Sequence, residues 1–259
     1  MIVDSSSGRG VHMFKPRLLP SLWTALLVII STGRTCLQCI LMSRLTGNKT
    51  YALSHARKGW APSMFWVANS TLEVIDDGHV DYTKPHIFVM NHQSHMDIPA
   101  AFMSIPANIG FVAKKELERV PLFGRVMREA GMIFVDRSDP AKAIASLKAG
   151  GALIRSGVNI FAFPEGTRTA SGSIQNFKKG IFMLALEAGV PIVPMSVHGA
   201  REVLPVDSFD PQGNVIKVKI GKPISLDGYC VDTRDDLIAT VRQSVIKLNL
   251  DLGGQGGQA

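Results

Sequence analysis

Cysteine and charge are both scarce in this chain of 259 residues. Three cysteines are too few, and odd in number, for the paired framework of a disulfide-stapled secreted domain, so we expect a reducing compartment. Charged residues make up 19% of the chain against about 25% in an average soluble domain. Mean hydropathy is slightly positive at +0.17. This composition excludes a disordered chain and favours a membrane-associated protein.

The signatures of several enzyme classes are also missing. The chain has no G-x-S-x-G nucleophile elbow, no Walker A loop, no G-x-G-x-x-G fingerprint and no H-E-x-x-H motif. Cys36 and Cys39 form a C-x-x-C, but no second ligand pair accompanies them, so we interpret them as small buried side chains of an apolar helix. The sequence therefore supports neither a serine hydrolase, nor a nucleoside triphosphatase, nor a dehydrogenase, nor a zinc peptidase.

Positive charge exceeds negative charge, with 28 Lys and Arg against 21 Asp and Glu, a formal net charge of +7. Such a balance favours an anionic partner: nucleic acid, acidic lipid head groups or a phosphorylated substrate. No basic stretch studded with aromatic residues and no recognisable nucleic-acid-binding module is present, so we expect no nucleic acid partner.

The N-terminal region carries an apolar run of sixteen residues, LLPSLWTALLVIISTG, which ends before Arg34. As a helix this run would reach about 24 Å, short of the roughly 30 Å hydrocarbon core of a bilayer. We therefore predict that residues 16–45 form one or two helices that lie in or dip into the membrane interface, with basic residues facing anionic head groups. The alternative is an ordinary helix buried against the domain.

From residue 80 onward, short apolar runs alternate with amphipathic stretches, which predicts an α/β domain with a central mixed, largely parallel sheet flanked by helices. We divide the chain into a flexible N-terminus (1–15), a membrane-associated helical segment (16–70), the α/β domain (71–250) and a disordered tail (251–259). The predicted strands are 86–90, 109–113, 132–135, 159–163, 192–197 and 215–220. The predicted helices are 98–104, 122–130, 140–156, 177–188 and 233–250.

A run of polar residues, NHQSHMD, follows the strand that ends at Met90, at the strand end where α/β sheets usually open into their sites. His92 and Asp97 would lie about 140° apart on a straight helix, so a loop must bring them together. With Asp97 at the start of the next helix and Pro99 in its first turn, the carboxylate can orient the imidazole and make His92 a general base without a serine.

Two other interpretations of this run stay open. His92, His95 and Asp97 could be metal ligands, although no further His or Cys cluster completes a site. Alternatively the polar residues cap a helix and satisfy backbone donors, which would explain a single His or Asp but not the whole run.

A second polar run, FPEGTR, follows the predicted strand at 159–163. Its glycine permits an unusual backbone, and Arg168 offers a guanidinium fork that binds phosphate in bidentate fashion. Lys114 and Arg137 also stand at predicted strand ends. We therefore expect Lys114, Arg137 and Arg168 to converge on one anion pocket beside His92, the alternative being scattered surface cations.

With these motifs the chain resembles the glycerolipid acyltransferases, and most closely the 1-acyl-glycerol-3-phosphate acyltransferases. NHQSHMD is similar to that family's first block, GMIFVDR to its second, FPEGTR to its third and VPIVPMSV to its fourth. The blocks occur in order along residues 86–200 with compatible spacing. The apolar N-terminal segment is also similar to the membrane-bound helical motif that precedes the catalytic domain in bacterial members.

The resemblance implies transfer of a fatty acyl group from acyl-CoA or acyl carrier protein to the 2-hydroxyl of 1-acyl-glycerol 3-phosphate, giving phosphatidic acid for phospholipid synthesis. By analogy His92 is the base and Asp97 holds it. The substrate's phosphate is held by Arg168 with Glu165, Gly166 and Thr167, supported by Lys114 and Arg137. The fourth block lines the acyl region, and a backbone donor near Gly166 stabilises the oxyanion. No metal or other cofactor is implied, and the expected location is the cytoplasmic face of a bacterial inner membrane.

Other functions compatible with the sequence differ in acceptor or in class. Within acyl transfer, the acceptor could be glycerol 3-phosphate or another lysolipid. From a different class, a non-catalytic peripheral membrane-binding protein would account for the charge and the apolar N-terminus. That alternative leaves no role for the His92 and Asp97 pair.

Overall fold

A computed structural model describes residues 2–3, 21–48, 51–135, 146, 150–151, 154–155 and 157–257. Its helices are α1 Ser21–Thr46, α2 Tyr51–His55, a π-helix Ala56–Trp60, α3 Ala61–Val67, α4 Asp97–Ser104, a 3-10 helix Lys115–Arg119, α5 Phe123–Glu129, α6 Gly180–Ala188, α7 Ala200–Val203 and α8 Arg234–Asp251. Its strands are β1 Ile2–Val3, β2 Thr71–Asp76, β3 Ile87–Met90, β4 Ile109–Lys114, β5 Ile133–Val135, β6 Asn159–Ala162, β7 Ile192–His198 and β8 Val215–Ile220.

The strands form one sheet in the order β1-β2-β8-β7-β3-β6-β4-β5. Every neighbouring pair is parallel except β7 and β8, which are antiparallel. Strand β3 lies between β6 and β7, and all four of its residues are 0% exposed. The expected α/β fold with a mixed, largely parallel sheet is confirmed.

Two hydrophobic cores lie on opposite faces of this sheet, because successive side chains of a strand point to opposite faces. Phe88 and Met90 of β3 belong to the core that includes α3 and α4. Ile87 and Val89 belong to the core that includes α6 and α8. Burial on both faces explains why the strands appear in the sequence as continuous apolar runs rather than as alternating patterns.

The predicted strands match the observed ones to within one residue at most ends. Strand β2, Thr71–Asp76, was not predicted, because its burial is partial and its sequence mixes Glu73 and Asp76 with apolar residues. Most of the predicted helix 140–156 lies outside the described residues. Residues 252–257 differ from the predicted disordered tail: Asn249 Nδ2 donates to the carbonyl of Gln255, and Ile174 forms a β-bridge with Gly257. The domain division at residue 70 stays a prediction.

Helix α1 continues through Arg34 to Thr46, so the apolar run that the sequence suggests is only the first part of a longer helix. The most apolar stretch of 18 residues within residues 22–46 has a mean hydropathy of 1.7, and by length and composition this helix could cross a membrane. One side of α1 contacts the helices that follow, with Ser31 Oγ hydrogen-bonded to Ser63 Oγ and Trp60 Nε1 donating to Thr32 Oγ1. Another side exposes large apolar side chains. They include Leu22, Leu26, Ile29, Ile30, Leu37, Leu41 and Leu45.

Cys36 and Cys39 are buried and free of any disulfide, as predicted from their place on an apolar helix. Cys39 packs against Leu53 and Ala130, so this part of α1 is attached to the domain beside α5. The helical segment and the α/β domain are therefore in direct contact.

Candidate active site

The polar loops that the sequence singles out meet at one edge of the sheet. Strands β3 and β6 are parallel neighbours, so the residues that follow them emerge at the same carboxyl edge. The Thr169 backbone N–H donates to the carbonyl of His92 at 2.9 Å and ties the two loops together. An α/β sheet binds its ligands at this edge.

His92 and Asp97 are in direct contact, with His92 Nδ1 2.8 Å from Asp97 Oδ2. Asp97 is the first residue of α4, and Pro99 lies in the same first turn. This is the geometry that the sequence predicts. The helix N-terminus stabilises a negative charge at Asp97, since the unpaired N–H groups there carry partial positive charge.

Asp97 Oδ2 also accepts hydrogen bonds from the backbone N–H groups of Gln93, at 2.6 Å, and Ser94, at 2.8 Å. Because that oxygen acts as an acceptor toward all three partners, His92 Nδ1 carries the hydrogen and Nε2 of the neutral ring carries the lone pair. The Asp97 side chain is 0% exposed, and its Oδ1 has no partner among the described residues. The carboxylate is therefore fixed by the loop that it orients.

The ring of Phe163 supports the imidazole of His92 from one face. The two ring centroids are 3.9 Å apart and the interplanar angle is 12°, which is a stacked arrangement. The His92 side chain retains 15% exposure, so the ring is held between a buried carboxylate and an aromatic face while part of it stays accessible. The stacking of Phe163 on His92 was not predicted from the sequence. The sequence feature that could have indicated it is the position of Phe163 directly after a strand that is expected to lie near β3.

Glu165 holds the two loops together rather than facing the solvent. Its Oε1 accepts from the His92 backbone N–H at 2.7 Å, and its Oε2 accepts from the Gln175 N–H at 2.9 Å. The side chain is buried, at 2% exposure. Burial raises the pKa of Glu165 to about 7; the two backbone hydrogen bonds oppose this rise, and the nearby charge of Asp97 adds to it. Both carboxylate oxygens are engaged within the protein, which is the arrangement of a positioning residue.

This carboxyl makes stability depend on pH. The folded pKa of Glu165 lies above its ordinary value of 4.5, so between about pH 4.5 and 7 the folded state keeps a proton that the unfolded state loses. We expect the unfolding free energy to fall as pH rises through this window, by up to about 3 kcal/mol. Thermal unfolding in detergent at pH 5 and pH 7 measures the slope.

Glu165→Gln should flatten that slope, whereas Glu187→Gln, at an exposed carboxylate of α6, should leave it as in the wild type. An unchanged slope in Glu165→Gln would show that other groups carry the pH dependence.

Arg168 lies near the histidines. Its Nη1 donates to the carbonyl of Val206 at 3.1 Å, and its side chain is half-buried. Loss of hydration around its ring first, and then the charges of Arg168 and His92, lower the pKa of His95, which means that these groups are within electrostatic range of one another. Thr167 is exposed.

Gly166 adopts a left-handed backbone with φ of 73°, and its N–H donates to the carbonyl of Phe163 at 3.1 Å. That N–H closes a turn, so the oxyanion donor expected near Gly166 is not this group.

Lys114 does not contact His92. It ends β4, and β6 lies between β4 and β3, so the two residues are two strands apart in the sheet. Its ammonium pairs with Glu116 at 3.2 Å and is exposed. Arg137 lies outside the described residues. The structure therefore brings together His92, Asp97, Glu165 and Arg168, and the convergence of Lys114 and Arg137 on the same pocket stays a prediction.

Asn91 is a structural residue of the site that the sequence reasoning passed over. It is 0% exposed; its Nδ2 donates to the carbonyl of Val197, and its Oδ1 accepts from the N–H of Val197. These two hydrogen bonds attach the end of β3 to β7 and fix the start of the loop that carries His92. The signal in the sequence was an amide residue directly between an apolar strand and the histidine.

The described residues contain no group of three or more His, Cys, Asp and Glu side chains suited to a metal ion. His92 and Asp97 are instead paired with each other.

The structure places a histidine and aspartate pair at the carboxyl edge of a mixed α/β sheet, behind an apolar N-terminal helix. Comparison with known proteins shows which class of enzymes shares these features. The acyltransferase family model matches residues 71–198. The human 1-acyl-sn-glycerol-3-phosphate acyltransferase alpha is 30% identical over 189 residues, which cover 72% of this chain and 67% of the human one. The chain therefore belongs to the acyltransferase family.

Relatives from plants and bacteria carry similar names. The 1-acyl-sn-glycerol-3-phosphate acyltransferase of Limnanthes alba is 33% identical over 71% of this chain. The crystal structure of PlsC, the 1-acyl-sn-glycerophosphate acyltransferase of Thermotoga maritima, is 25% identical with a TM-score of 0.75, over 92% of this chain and 96% of that one. The chain spans 65% of the Limnanthes alba enzyme and 46% of a chloroplast enzyme of Arabidopsis thaliana.

Proposed function

We propose that this protein is a 1-acylglycerol-3-phosphate O-acyltransferase, which transfers a fatty acyl group from acyl-CoA or acyl carrier protein to the 2-hydroxyl of lysophosphatidic acid and forms phosphatidic acid. The observation that carries the proposal is the pair of His92 and Asp97, 2.8 Å apart. The names of the relatives support the choice of substrate.

The proposed reaction is a direct transfer. His92 Nε2 accepts the proton of the 2-hydroxyl while Asp97 stabilises the imidazolium that forms. The hydroxyl oxygen attacks the thioester carbonyl, and a C–O bond forms. The tetrahedral intermediate then expels the thiolate, the C–S bond breaks, and the imidazolium returns its proton to sulfur. No acyl-enzyme forms, and the step uses no metal or other cofactor.

Arg168 is the proposed principal phosphate ligand. It is half-buried and within electrostatic range of His95, and its guanidinium has donors beyond the one that it gives to Val206. In this proposal Glu165, Gly166 and Thr167 shape the loop around the phosphate, and Lys114 and Arg137 add positive potential. Arg168 directly precedes Thr169, whose backbone N–H donates to the carbonyl of His92. This supports a phosphate position near the reacting hydroxyl.

The proposed location is a membrane, with the domain on the cytoplasmic face of a bacterial inner membrane. Helix α1 supports this placement with its exposed apolar side chains, and lysophosphatidic acid is itself a membrane lipid. Anionic lipids are the proposed surface partner, because the net charge of +7 attracts them.

Acyl transfer by the purified full-length chain in detergent tests the proposal. Palmitoyl-CoA and palmitoyl-acyl carrier protein are supplied separately with lysophosphatidic acid, and phosphatidic acid is measured. Formation of phosphatidic acid with either donor supports the proposal. Product only with glycerol 3-phosphate or with another lysolipid would overturn the choice of acceptor, and no product with any acceptor would overturn the proposal of an enzyme.

Replacing Arg168 with alanine should raise the KM for lysophosphatidic acid about 10- to 100-fold, since a charge-assisted hydrogen bond contributes about 1.5 to 3 kcal/mol. The kcat at saturation should change much less, because the phosphate is bound in both the ground state and the transition state. Arg125→Ala is the control, since Arg125 pairs with Glu129 on α5. An unchanged KM in Arg168→Ala would place the phosphate elsewhere, and Lys114→Ala then tests the next cation.

A further inference from the structure

An exposed apolar surface lies on the segment that follows β4. Leu117, Val120 and Leu122 are 39%, 42% and 44% exposed, and Pro121 between them is also exposed. We call residues 115–122 the Leu122 loop; it consists of the 3-10 helix Lys115–Arg119 and the turn that follows. Single exposed apolar side chains are common, but three on one short loop mark a contact surface.

The turn at Leu122 is strained. Leu122 has φ of 61° and ψ of −54°, and the Phe123 N–H donates to the carbonyl of Pro121 at 2.7 Å. These angles and this hydrogen bond define a γ-turn of the rare, strained form. A leucine in this conformation persists only where the surrounding structure holds it, and such strain concentrates at functional positions.

The surrounding structure does hold this loop. Glu118 pairs with Lys115 within the loop and with Arg128 on α5. Gly124 packs so closely that a Cβ there would lie 2.1 Å from the carbonyl oxygen of Glu118. The Gly124 N–H donates to the carbonyl of Val120 at 2.8 Å. The apolar side chains are therefore presented outward by a fastened loop and not by a loose one.

The segment that carries these apolar side chains has a net positive charge. Residues 114–129 contain five Lys and Arg against three Glu. Arg119 is exposed and makes no salt bridge with a described residue. An apolar centre with a cationic border is complementary to a bilayer that contains anionic phospholipid, because the apolar side chains enter the acyl boundary while the cations stay at the phosphates.

The position of the loop joins it to two features already described. The loop follows the carboxyl end of β4, so it lies at the same edge of the sheet as the loop that carries His92. Helix α5, which follows the loop, packs against α1 through Ala130, Val126 and Cys39. The Leu122 loop is therefore close to α1, whose apolar side chains are exposed.

We propose that the Leu122 loop is a second membrane-contact surface, which inserts Leu117, Val120 and Leu122 into the interface of a bilayer containing anionic phospholipid. Together with α1 it gives the domain two contact regions, so the carboxyl edge with His92 is turned toward the lipid surface from which a lysolipid would come. The proposal rests on the proposed function in that it takes the protein to act at a membrane.

Site-specific fluorescence in the full-length chain tests this contact. The native Cys230 carries the reference label: it is exposed, and it lines a surface cavity with Leu186 and Glu187 at the end of α6, which leads into the first residue of β7 at the opposite edge of the sheet. Leu122→Cys and Leu37→Cys, each combined with Cys230→Ser, carry labels on the loop and on α1. Each protein is reconstituted into vesicles of phosphatidylglycerol and phosphatidylcholine, and quenching by doxyl lipid is compared with quenching by aqueous iodide.

The expected result is quenching by doxyl lipid at positions 37 and 122 and by iodide at position 230. If iodide quenches the label at position 122 as fully as the label at position 230, the proposed second membrane contact is overturned. It is also overturned if the label at position 122 is shielded from both quenchers, since that result would indicate a protein partner. If position 37 is also reached by iodide alone, membrane association itself fails. Acyl transfer measured on the same samples reports separately on the proposed reaction.

Leu122→Gly provides a second test that does not damage the fold. Glycine adopts φ of 61° without strain, so the melting temperature should be equal to or above that of the wild type. Acyl transfer to short-chain lysophosphatidic acid in detergent should be unchanged, whereas transfer on phosphatidylglycerol vesicles should fall about tenfold because the side chain that inserts into the bilayer is lost. Val231→Gly, at a 49% exposed residue on the opposite edge, is the matched control. Equal rates of Leu122→Gly and wild type on vesicles would overturn the proposal.

Discussion

Replacing His92 with alanine is expected to lower the kcat of acyl transfer by about 10³-fold, the typical contribution of a general base. The imidazole lies between the Asp97 carboxylate and the Phe163 ring, and no other described side chain occupies that position. The fold should survive, since the His92 backbone N–H still bonds to Glu165. Initial rates at saturating thioester and lysophosphatidic acid, together with the melting temperature, measure both effects.

His95→Ala is the matched control, because His95 belongs to the same loop but is exposed, and the hydrogen bonds of Asp97 go to His92, Gln93 and Ser94. We expect its kcat to stay within severalfold of the wild-type value. A His92→Ala protein that keeps most of the wild-type rate would remove His92 from the role of base. Equal losses in both histidine variants would indicate damage to the loop and not loss of a proton acceptor.

Replacing Asp97 with asparagine should reduce kcat by a similar factor, about 10³-fold. The carboxylate accepts from His92 Nδ1 and from two backbone N–H groups through a single oxygen. If the asparagine amide keeps its oxygen on these three donors, it still lacks the charge that stabilises the imidazolium. If the amide is flipped, its NH2 group faces His92 Nδ1 and favours the tautomer in which Nε2 carries the hydrogen and cannot act as the base. The loss should therefore appear in kcat rather than in the KM for lysophosphatidic acid.

Asp76→Asn is the control for this substitution, since Asp76 also accepts one backbone N–H, from Gly78, and one side-chain hydrogen, from Tyr82, but contacts no histidine. Its kcat should match that of the wild type. If Asp97→Asn lowers the melting temperature to the assay temperature or below, unfolding would account for the loss of activity. The orienting role of Asp97 would then be unsupported.

The sequence predicted the contact between His92 and Asp97 well because that contact is local. His92 and Asp97 are five residues apart, both follow a recognisable buried strand, and a helix start at Asp97 is enough to bring the carboxylate back to the ring. The strand runs were equally clear, because both faces of the central strands are buried and the runs are almost purely apolar. Strand β2 was missed because a partly exposed strand shows no such run.

Contacts between distant parts of the chain were beyond the sequence. Glu165 was expected to help hold a phosphate, yet it bonds to the backbone of residues 73 positions before it and 10 after it. Lys114 was expected to converge on one anion pocket beside His92; the sheet order places β6 between their strands, and the convergence stays a prediction. One or two helices were expected over residues 16–45, and the structure has a single helix α1 that passes through Arg34 to Thr46 and is hydrogen-bonded to the helices that follow it.

The sequence by itself determined the α/β fold class, the two polar loops and the pairing of His92 with Asp97, because strand burial and short-range loop geometry are encoded in neighbouring residues. Only the tertiary structure decided how the two polar loops are joined, what Glu165 and Phe163 do, and which side of α1 and of the Leu122 loop stays exposed. Those outcomes depend on strand order and on packing between residues far apart in the chain, which no local pattern specifies.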